Sequence, residues 1–530
     1  MRGKIGISLL VFLLLNLAAS AQKKEPPIKP FSKEEVSDQK KEASGYFKSE
    51  NYRMAKTIYE RLVVTNPNDV DYNFKLALCY LNTNIDKKKA IPLLEYVANA
   101  NSKDIPKEVL FELAKAYHYG NYFDKAMETF EKYRVAKKGS VDPKLKIDQW
   151  IDWSHIAKEL TEKPLDAIFE NLGRTINSPT ADYKPVIGAN DSIVYFSSCR
   201  KGNSGGLTDD LGDIPADIYF FTQNDTLRTK AKNIGANINT PLYEECLSIN
   251  MNGNYMIIYM EGDVQGDLYI SELKGKQWTK SVSMGKEFVT RALESGACLS
   301  PDGLTLYFAA EAEGSKTGKD IYRCTRTEQT GWTKPERMGD NINTKEDEDC
   351  PYMWLDGKTL FFSSKGFKGM GGYDIYKVQM NDPKEGFSKP ENIGYPLNTT
   401  YDDIGIAIGV NGKTVYVAQV RDSGYGEQDL YKVTLKEPIS SNKLCLLSLR
   451  VLSPSNTPAK GGIVTINDAA TGTLLYKGDV NDFSGKYDVA LPTGAYKVAV
   501  RHPKLGKVEE EVLINAMETT KFEKVLQFKL

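Results

Sequence analysis

An acidic side chain recurs at one fixed place in five successive sequence repeats of just over 50 residues. Each acid stands nine residues before the second residue of a tight-turn dipeptide. The five acids are Asp182, Glu244, Glu294, Glu348 and Asp403. A ring of carboxylate oxygens can bind a hard cation. Two carboxylates with different pKa values can instead cleave a glycosidic bond.

A structural role is the alternative, in which each acid accepts backbone N–H bonds from the neighbouring repeat. We favour this alternative, because a catalytic set needs chemically distinct partners whereas repetition makes equivalent copies. The acidic run from Glu346 to Asp349 predicts a solvated loop. We therefore expect no catalytic residue, no metal site and no cofactor.

Other nucleophile and base patterns are missing from the sequence. The three histidines, His118, His155 and His502, all lie outside the five repeats, and no Gly-x-Ser-x-Gly motif occurs. The seven cysteines form no CxxC pair. We expect that the chain is not an enzyme. The alternative is a carbohydrate-binding protein or glycosidase that uses the five carboxylates.

Strands and turns must position these acids, and each repeat carries signals for both. One signal is a turn dipeptide that tolerates positive φ in a tight hairpin. The dipeptides are Asn190-Asp191, Asn252-Gly253, Asp302-Gly303, Asp356-Gly357 and Asn411-Gly412. The other signal is an Asp-apolar-Tyr motif that opens a further strand. The motifs begin at Asp217, Asp267, Asp320, Asp374 and Asp429.

A closing element follows three of the repeats, as Ile238-Asn239-Thr240, Ile342-Asn343-Thr344 and Leu397-Asn398-Thr399. The fifth repeat lacks this element, and a matching segment, Ile176-Asn177-Ser178, stands before the first repeat. The displacement predicts a ring in which a strand near Phe169 completes the last sheet and hides its edge. We expect a five-bladed β-propeller over residues 165–437.

A shorter repeat precedes this region. Alanines at positions 55, 90 and 126 mark it, with spacings of 35 and 36 residues against about 34 in the tetratricopeptide repeat. Alanine lets two antiparallel helices approach, and Tyr46, Tyr80 and Tyr117 fill the hollows beside them. We expect a tetratricopeptide-type α-solenoid over residues 33–161 with a capping helix at its end. Its concave face would bind partner segments; the alternative is that it only packs against the next domain.

Alternating apolar runs dominate residues 441–530, and about seven short strands there predict a β-sandwich. Gly485-Lys486-Tyr487 and the segment from Leu491 to Tyr496 resemble the carboxypeptidase-regulatory-like module, which is transthyretin-like. That resemblance implies an adhesive or spacing role.

The N-terminus is typical of an export signal. Arg2 and Lys4 are basic, residues 9–15 are almost wholly apolar, and Ala19-Ser20-Ala21 has the pattern of small residues that signal peptidase needs. We expect a signal peptide over residues 1–21, a flexible lead over residues 22–32 and a periplasmic location. No later segment reaches the about 20 apolar residues that span a membrane.

The overall charge disfavours nucleic acid as a partner. The 69 Lys and Arg are matched by 70 Asp and Glu, which gives a net charge of −1. A protein that binds the phosphate backbone needs a concentrated basic patch. We expect protein partners instead.

The central repeats resemble the WD-like, TolB-type propeller repeat. The order of the three parts resembles Bacteroidetes envelope proteins of the PorE-like family, associated with type IX secretion and gliding. That family's usual OmpA-like domain, which grips peptidoglycan, is not in the sequence, so any peptidoglycan contact is expected to be indirect. The resemblance implies a periplasmic scaffold that contacts other envelope or secretion-system proteins through the helical repeats and the propeller face.

Overall fold

The structure is a computed structural model. It describes residues 28–101, 105–138, 140–206, 208, 214–224, 227–262, 266–285, 294–311, 317–327, 331–382, 386–515 and 521–529. The predicted signal peptide lies outside these residues. Three regions follow one another: a helical region (residues 35–162), a central β region (residues 167–435) and a C-terminal β region (residues 444–527).

The helical region contains seven α-helices among the described residues. They are α1 (Glu35–Lys48), α2 (Tyr52–Thr65), α3 (Val70–Leu81), α4 (Ala90–Asn99), α5 (Val109–Tyr119), α6 (Phe123–Ala136) and α7 (Ile147–Glu162). The repeat alanines Ala55, Ala90 and Ala126 are all fully buried, as close helix packing requires. The side chains of Asn51 and Asp69 cap α2 and α3 by accepting backbone N–H bonds.

The end of the predicted flexible lead is packed against the helices. Phe31 is buried, its N–H donates to Oγ1 of Thr65 over 2.9 Å, and the Arg61 guanidinium lies 3.6 Å from its ring centre. A buried aromatic ring under a cation fixes this segment. Residues 28–32 therefore belong with the helical region rather than with a free lead.

The central region is built from short antiparallel strands. The longer ones are β1 (Ala167–Asn171), β2 (Asp182–Ile187), β3 (Ile193–Ser198), β4 (Asp217–Thr222), β6 (Glu244–Ile249), β7 (Tyr255–Met260), β8 (Asp267–Lys274), β11 (Glu294–Leu299), β12 (Thr305–Ala310), β13 (Asp320–Thr327), β16 (Glu348–Met353), β17 (Thr359–Ser364), β18 (Asp374–Asp382), β22 (Thr414–Gln419) and β23 (Asp429–Leu435). The two-residue strands are β5 (Lys232–Asn233), β9 (Gln277–Trp278), β10 (Val282–Ser283), β14 (Gly331–Trp332), β15 (Glu336–Arg337), β19 (Gly386–Phe387), β20 (Glu391–Asn392) and β21 (Ala407–Ile408).

These strands form five sheets, one for each sequence repeat. The sheets begin with β2, β6, β11, β16 and β21, and each of these inner strands pairs with the next strand in the chain. β2 contacts β6, β6 contacts β11, β11 contacts β16, and β21 contacts β2. The fourth and fifth sheets meet where the Tyr352 hydroxyl of β16 donates to the Ile408 carbonyl of β21 over 3.1 Å. The sheets therefore follow one another in a cycle whose last member meets the first.

β1 joins the two ends of this cycle. It pairs antiparallel with β23 of the fifth sheet, with Phe169 opposite Val433. The N–H of Leu172 then donates to the carbonyl of Leu430 over 3.2 Å. The strand predicted near Phe169 is thus the outermost strand of the last sheet, although it comes first in the chain. It covers a sheet edge that would otherwise expose unpaired backbone groups.

The turn dipeptides lie where predicted, after each inner strand. Gly253, Gly303, Gly357 and Gly412 have φ between 65° and 73°. Only glycine adopts this left-handed conformation without a steric cost. The four turns therefore end the inner strands on one side of the cycle, and the acids begin them on the other side.

The C-terminal region contains seven strands among the described residues: β24 (Leu444–Leu452), β25 (Ile463–Asp468), β26 (Leu474–Asp479), β27 (Lys486–Pro492), β28 (Gly494–His502), β29 (Gly506–Ile514) and β30 (Lys521–Gln527). They form a sheet of order β27-β24-β30 and a sheet of order β26-β25-β28-β29. Val464, Val489 and Val500 between them are fully buried.

The helical region packs on the side of the cycle where the inner strands begin. The Lys87 N–H donates to the Tyr401 hydroxyl over 3.0 Å, and the rings of Tyr119 and Tyr401 lie 5.4 Å apart. Arg53 pairs with Glu427, and Lys146 lies 3.0 Å from the Glu346 carboxylate. The helical residues named here lie at helix ends or in connecting segments. The stack therefore contacts the sheets through one edge.

The C-terminal region packs on the opposite side, over the turns. Asn252 accepts a bond from the Asp488 N–H over 3.0 Å, and the Asn442 amide donates to Asp356 over 2.7 Å. Trp354 is fully buried in a hydrophobic core that continues into β24 and β27. The central region therefore lies between the other two. Among the described residues, no helix combines the length and apolar composition needed to cross a membrane.

Candidate functional site

The five predicted acids occupy equivalent backbone positions. Four of them are the first residues of inner strands β2, β6, β11 and β16, and Asp403 precedes β21. The side chain of Glu294 lies outside the described residues. The side chains of Asp182, Glu244, Glu348 and Asp403 are almost completely buried, with at most 3% of the residue exposed.

Each of these four carboxylates binds the backbone four residues before it. The Thr240 N–H donates to Glu244 over 2.9 Å, and the Thr344 N–H donates to Glu348 over 2.7 Å. Ser178 and Thr399 donate in the same way to Asp182 and Asp403. The donors follow the closing-element asparagines, so each carboxylate fixes the segment that leads from one sheet to the next.

The closing-element asparagines pair with a strand of the preceding sheet. Asn239 accepts the Ile218 N–H over 3.0 Å and donates to the Ile218 carbonyl over 3.0 Å. Asn343 and Asn398 do the same with Ile321 and Ile375. The side-chain amide thus replaces a strand residue in the hydrogen-bond ladder. A buried side-chain amide is tolerated in a core when both its N–H group and its carbonyl oxygen are hydrogen-bonded, as they are here.

Asn177 makes this pair across the two ends of the cycle. It accepts the Leu430 N–H over 3.0 Å and donates to the Leu430 carbonyl over 3.1 Å. The displaced closing element therefore does for the fifth sheet what the other closing elements do for theirs. This contact and the β1–β23 pairing hold the same junction.

The four acids whose side chains the structure describes do not gather into a metal site. Within the described ranges, no group of three or more His, Cys, Asp or Glu side chains is arranged to hold a metal ion. Each described acid instead has donors of its own. Arg200 lies 2.7 Å from Asp182, and the Ser364 hydroxyl donates to Glu348 over 2.6 Å.

The premise that repetition makes the acids equivalent is wrong. Asp182 faces an arginine, whereas the hydrogen-bond donors to Glu244 and Glu348 among the described residues are uncharged threonine and serine groups. Burial raises the pKa of Glu348 to about 7 against the hydrogen bonds from Ser364 and Thr344. Burial likewise raises the pKa of Glu244 to about 7. Neighbouring sheets therefore hold chemically different carboxyl groups in the same backbone position.

These raised pKa values predict that stability falls as the pH rises. Asp374 belongs to the same set, because burial raises its pKa to about 7. A carboxyl group whose pKa is higher in the folded chain stabilises the fold below its unfolded value of about 4, and this stabilisation is lost by about pH 7. Each such group changes the free energy of unfolding by at most about 1.4 kcal/mol per pH unit.

We expect the unfolding temperature to fall between pH 5 and pH 8, and Glu348→Gln to make this fall shallower. The exposed Glu311→Gln is the matched control and should leave the slope unchanged. Thermal unfolding followed by circular dichroism across this pH range measures both slopes. An identical slope in Glu348→Gln and in the native chain would contradict this assignment.

A second polar cluster lies where the inner strands converge at the centre of the cycle. It contains Lys184, Glu245, Ser295, Lys319 and Asp349. Lys184 pairs with Glu245, and Lys319 pairs with Asp349. The Ser295 hydroxyl donates to Asp349 over 2.8 Å, and Lys184 donates to the Ser295 carbonyl over 3.1 Å. We call these five residues the central cluster.

The charges of the central cluster are fixed by their neighbours. Burial would raise the pKa of Asp349, but the charges of Lys319 and Lys184 hold it below its ordinary value. Burial would lower the pKa of Lys184, but Glu245 raises it. Two lysines and two carboxyl groups therefore lie together, and the Asp349 carboxylate is ionised. Such a set can bind a polar group or position a carboxylate nucleophile.

Free space beside the central cluster is small. The cavity lined by inner-strand residues such as Lys184, Gly296, Cys350 and Gly405 has a volume of about 40 Å³. This volume has room for water, whereas sites for small organic ligands have about 300 to 1,000 Å³. The centre is therefore filled largely by the inner strands themselves.

The prediction of a solvated loop from Glu346 to Asp349 is wrong for its second half. Glu348 and Asp349 begin strand β16 and are buried. Successive side chains of a strand point to opposite faces, so Glu348 lies at the junction between sheets and Asp349 lies in the central cluster. Glu346 and Asp347 lie in the loop before β16 and are half-buried, and they pair with Lys146 and Lys365.

The helical region presents a face that the central region does not cover. Lys40 of α1 is exposed, and Phe74, Lys75 and Leu78 of α3 are half-buried. The Lys40 ammonium lies 5.3 Å from the ring centre of Tyr72, which places α1 and α3 side by side. We call Lys40, Phe74, Lys75 and Leu78 the first-helix face. Apolar side chains flanked by lysines are suited to an acidic, partly apolar segment.

Comparison with known proteins gives no family. No protein-family model matches the chain, and no curated protein matches it. The PorE-like resemblance therefore has no support from either comparison.

Solved structures similar to this chain are β-propellers of low identity. TolB from Acinetobacter baumannii matches at 15% identity and a TM-score of 0.32, over 49% of this chain and 56% of TolB. A thermostable family-43 glycoside hydrolase matches at 10% identity and a TM-score of 0.34, over 50% of this chain and 96% of the hydrolase. An α-L-arabinofuranosidase from Lactobacillus brevis matches at 12% identity and a TM-score of 0.32, over 50% and 92% of the two chains.

These structures contradict the prediction that the chain is not an enzyme. Several of them are glycoside hydrolases, including an exo-β-1,3-galactanase and a β-xylosidase. The prediction relied on equivalent acids and on missing histidines, but unlike carboxyl groups are present and glycosidases need no histidine. We withdraw that prediction.

Proposed function

We propose that the chain is a protein-interaction scaffold of the bacterial cell envelope. Its parts are a tetratricopeptide-type α-solenoid, a five-bladed β-propeller and a transthyretin-like β-sandwich. The first-helix face carries this proposal, because it stays uncovered although the same helices are docked on the sheets. The partners would be other envelope or secretion-system proteins, and an accessory role in type IX secretion follows the PorE-like resemblance.

The docking of the helical region supports a rigid platform. The His118 side chain is fully buried, and its Nδ1 lies 2.9 Å from the Ser154 hydroxyl at the base of the stack. Phe123 and Ala157 pack against Met370 of the fourth sheet. A core shared between two regions prevents them from moving independently. The first-helix face is therefore held at a fixed angle to the sheets.

The first-helix face carries two lysines, so it would recognise negative charge on a partner segment. Lys40 has no carboxylate partner within 4 Å among the residues that the structure describes, and Lys75 lies 3.0 Å from Asp71 within its own helix. Phe74 and Leu78 supply apolar area beside them. A short acidic segment with one or two apolar anchors would bury these groups together.

Charge reversal on this face tests the scaffold. Lys40→Glu with Lys75→Glu should lower the affinity for the captured partner at least tenfold, since two attractive contacts become repulsive. Lys132→Glu, at an exposed site on α6, is the matched control. Affinity capture from envelope extract should yield one stoichiometric partner with the native chain and the control. Equal capture by the double variant would exclude this face.

Export is the second part of the proposal, and it predicts a shorter mature chain. We expect cleavage after Ala21, so that the mature protein begins at Gln22 and lies in the periplasm. N-terminal sequencing of protein purified from the envelope fraction measures this. A chain that still begins at Met1 would contradict the periplasmic location.

Glycoside hydrolysis at the central cluster is the second candidate function. The observation in its favour is that two carboxyl groups, Asp349 and Glu245, lie in the central cluster: Lys319 and Lys184 keep Asp349 ionised, and the Tyr183 hydroxyl donates to Glu245 over 2.6 Å. Glycoside hydrolysis uses a pair of carboxyl groups that flank the bond to be cleaved. The small cavity there favours the scaffold over the hydrolase.

A panel of aryl glycosides tests the hydrolase. Turnover by the native chain that falls at least 100-fold in Asp349→Asn would establish the central cluster as catalytic. The fully exposed Asp340→Asn is the control. Turnover that persists in Asp349→Asn would place the activity elsewhere or in a contaminant.

A further inference from the structure

A cleft lies between the turn side of the central region and the C-terminal region. Its volume is about 460 Å³, which is within the range of about 300 to 1,000 Å³ for small-molecule sites. The turns at Asn252 and Asp302 form one wall, and strand β26 forms the other. Ligand sites occur preferentially between domains in this way.

Aromatic rings from both regions line this cleft. Tyr255 and Trp332 come from the second and third sheets, and Tyr476 comes from β26. All three are half-buried, so that part of each ring remains accessible. The Arg326 guanidinium lies 5.7 Å from the Trp332 ring centre. These flat surfaces suit a ligand with a flat, weakly polar face.

Amide groups supply hydrogen bonds in fixed positions. The Asn250 amide donates to the Asn254 side-chain oxygen over 2.8 Å, and the Asn252 amide donates to the Asp479 carbonyl over 3.2 Å. The Asn254 side chain accepts this bond through its oxygen. Its amide N–H groups have no partner among the described residues, so they can donate to a ligand. Side chains held in this way need little reorganisation on binding.

The charges that line the cleft nearly cancel. Its acidic residues are Glu272, Asp302, Asp479 and Asp482, and its basic residues are Lys274, Arg326 and Lys477. A phosphate or polyanion would need an excess of basic groups. The lining therefore favours a neutral ligand with many hydroxyl groups.

We propose that this cleft binds a neutral oligosaccharide. Sugar rings have apolar faces that stack on Tyr255, Trp332 and Tyr476, and hydroxyl groups that pair with Asn254 and Arg326. The site lies on the opposite side of the sheets from the first-helix face. It would let the chain hold a glycan and a protein partner at the same time.

Titration of the full-length chain with neutral tetrasaccharides tests this proposal. The probes are chitotetraose, cellotetraose, xylotetraose and maltotetraose, followed by tryptophan fluorescence and calorimetry. At least one should bind saturably with a Kd in the micromolar to low millimolar range. Trp332→Ala and Arg326→Ala should each weaken that binding at least tenfold. Trp153→Ala, a half-buried tryptophan in the helical region, should not.

Arg326 is exposed, so its variant keeps the test valid if Trp332→Ala lowers stability. Circular dichroism and the unfolding temperature identify properly folded variants. The proposal fails if no tetrasaccharide binds. It also fails if Arg326→Ala and Trp332→Ala bind as tightly as the native chain, or if only extended peptides bind by pairing with the edge of β26.

Discussion

Leu172→Ala is expected to lower the free energy of unfolding by about 2–5 kcal/mol. Leu172 follows β1, is 3% exposed and packs between the first and fifth sheets. Truncation leaves a cavity at the junction that closes the cycle, where the surrounding strands are already paired and cannot collapse freely. Chemical denaturation of the purified chain measures the loss.

The matched control is Ile168→Ala on β1 itself. Ile168 is 71% exposed, so its truncation should change the free energy of unfolding by less than about 0.5 kcal/mol. Deleting residues 165–175 removes β1 and should expose the edge of β23 to proteases and to self-association. A deletion variant that stays monomeric and protease-resistant would contradict closure by β1.

Trp354→Ala should cost about 3–5 kcal/mol and loosen the C-terminal region. Trp354 is fully buried at the turn end of the fourth sheet, in a hydrophobic core shared with Leu444 and Leu491. Its removal takes away the largest side chain of that contact. We expect limited proteolysis to cut between residues 437 and 443 in this variant and not in the native chain.

Trp153→Ala is again the control, because this ring packs against Trp150 in the helical region, away from the turns. It should leave the segment between residues 437 and 443 resistant. Equal resistance of this segment in Trp354→Ala would mean that the C-terminal region is held by its polar contacts alone.

Most of the predictions made from the sequence depend on local patterns. The turn glycines, the buried repeat alanines and the strand near Phe169 each depend on spacing within one repeat or between repeats. Asn177 is an example. The displaced closing element predicted that this residue lies at the junction between the first and last sheets, but its hydrogen bonds with the Leu430 backbone are seen only in the structure.

Contacts between distant segments could not be predicted in this way. Lys184 and Ser295 are 111 positions apart, and Lys319 reaches the central cluster from the bend just before β13. No spacing rule connects them. The same limit explains the error about equivalent acids, because Arg200 beside Asp182 is a neighbour that the repeat pattern does not include. The aromatic cleft also depends on two regions meeting.

Photo-crosslinking in living cells tests the scaffold most directly. A benzoyl-phenylalanine at position 74 keeps the phenyl ring of Phe74 and extends it by a photoreactive benzoyl group on the first-helix face. At position 96 it replaces a tyrosine that is 37% exposed on α4 and serves as the control. The scaffold predicts one discrete crosslinked envelope protein from position 74 and none from position 96. No crosslink from position 74, or the same products from both positions, would contradict it.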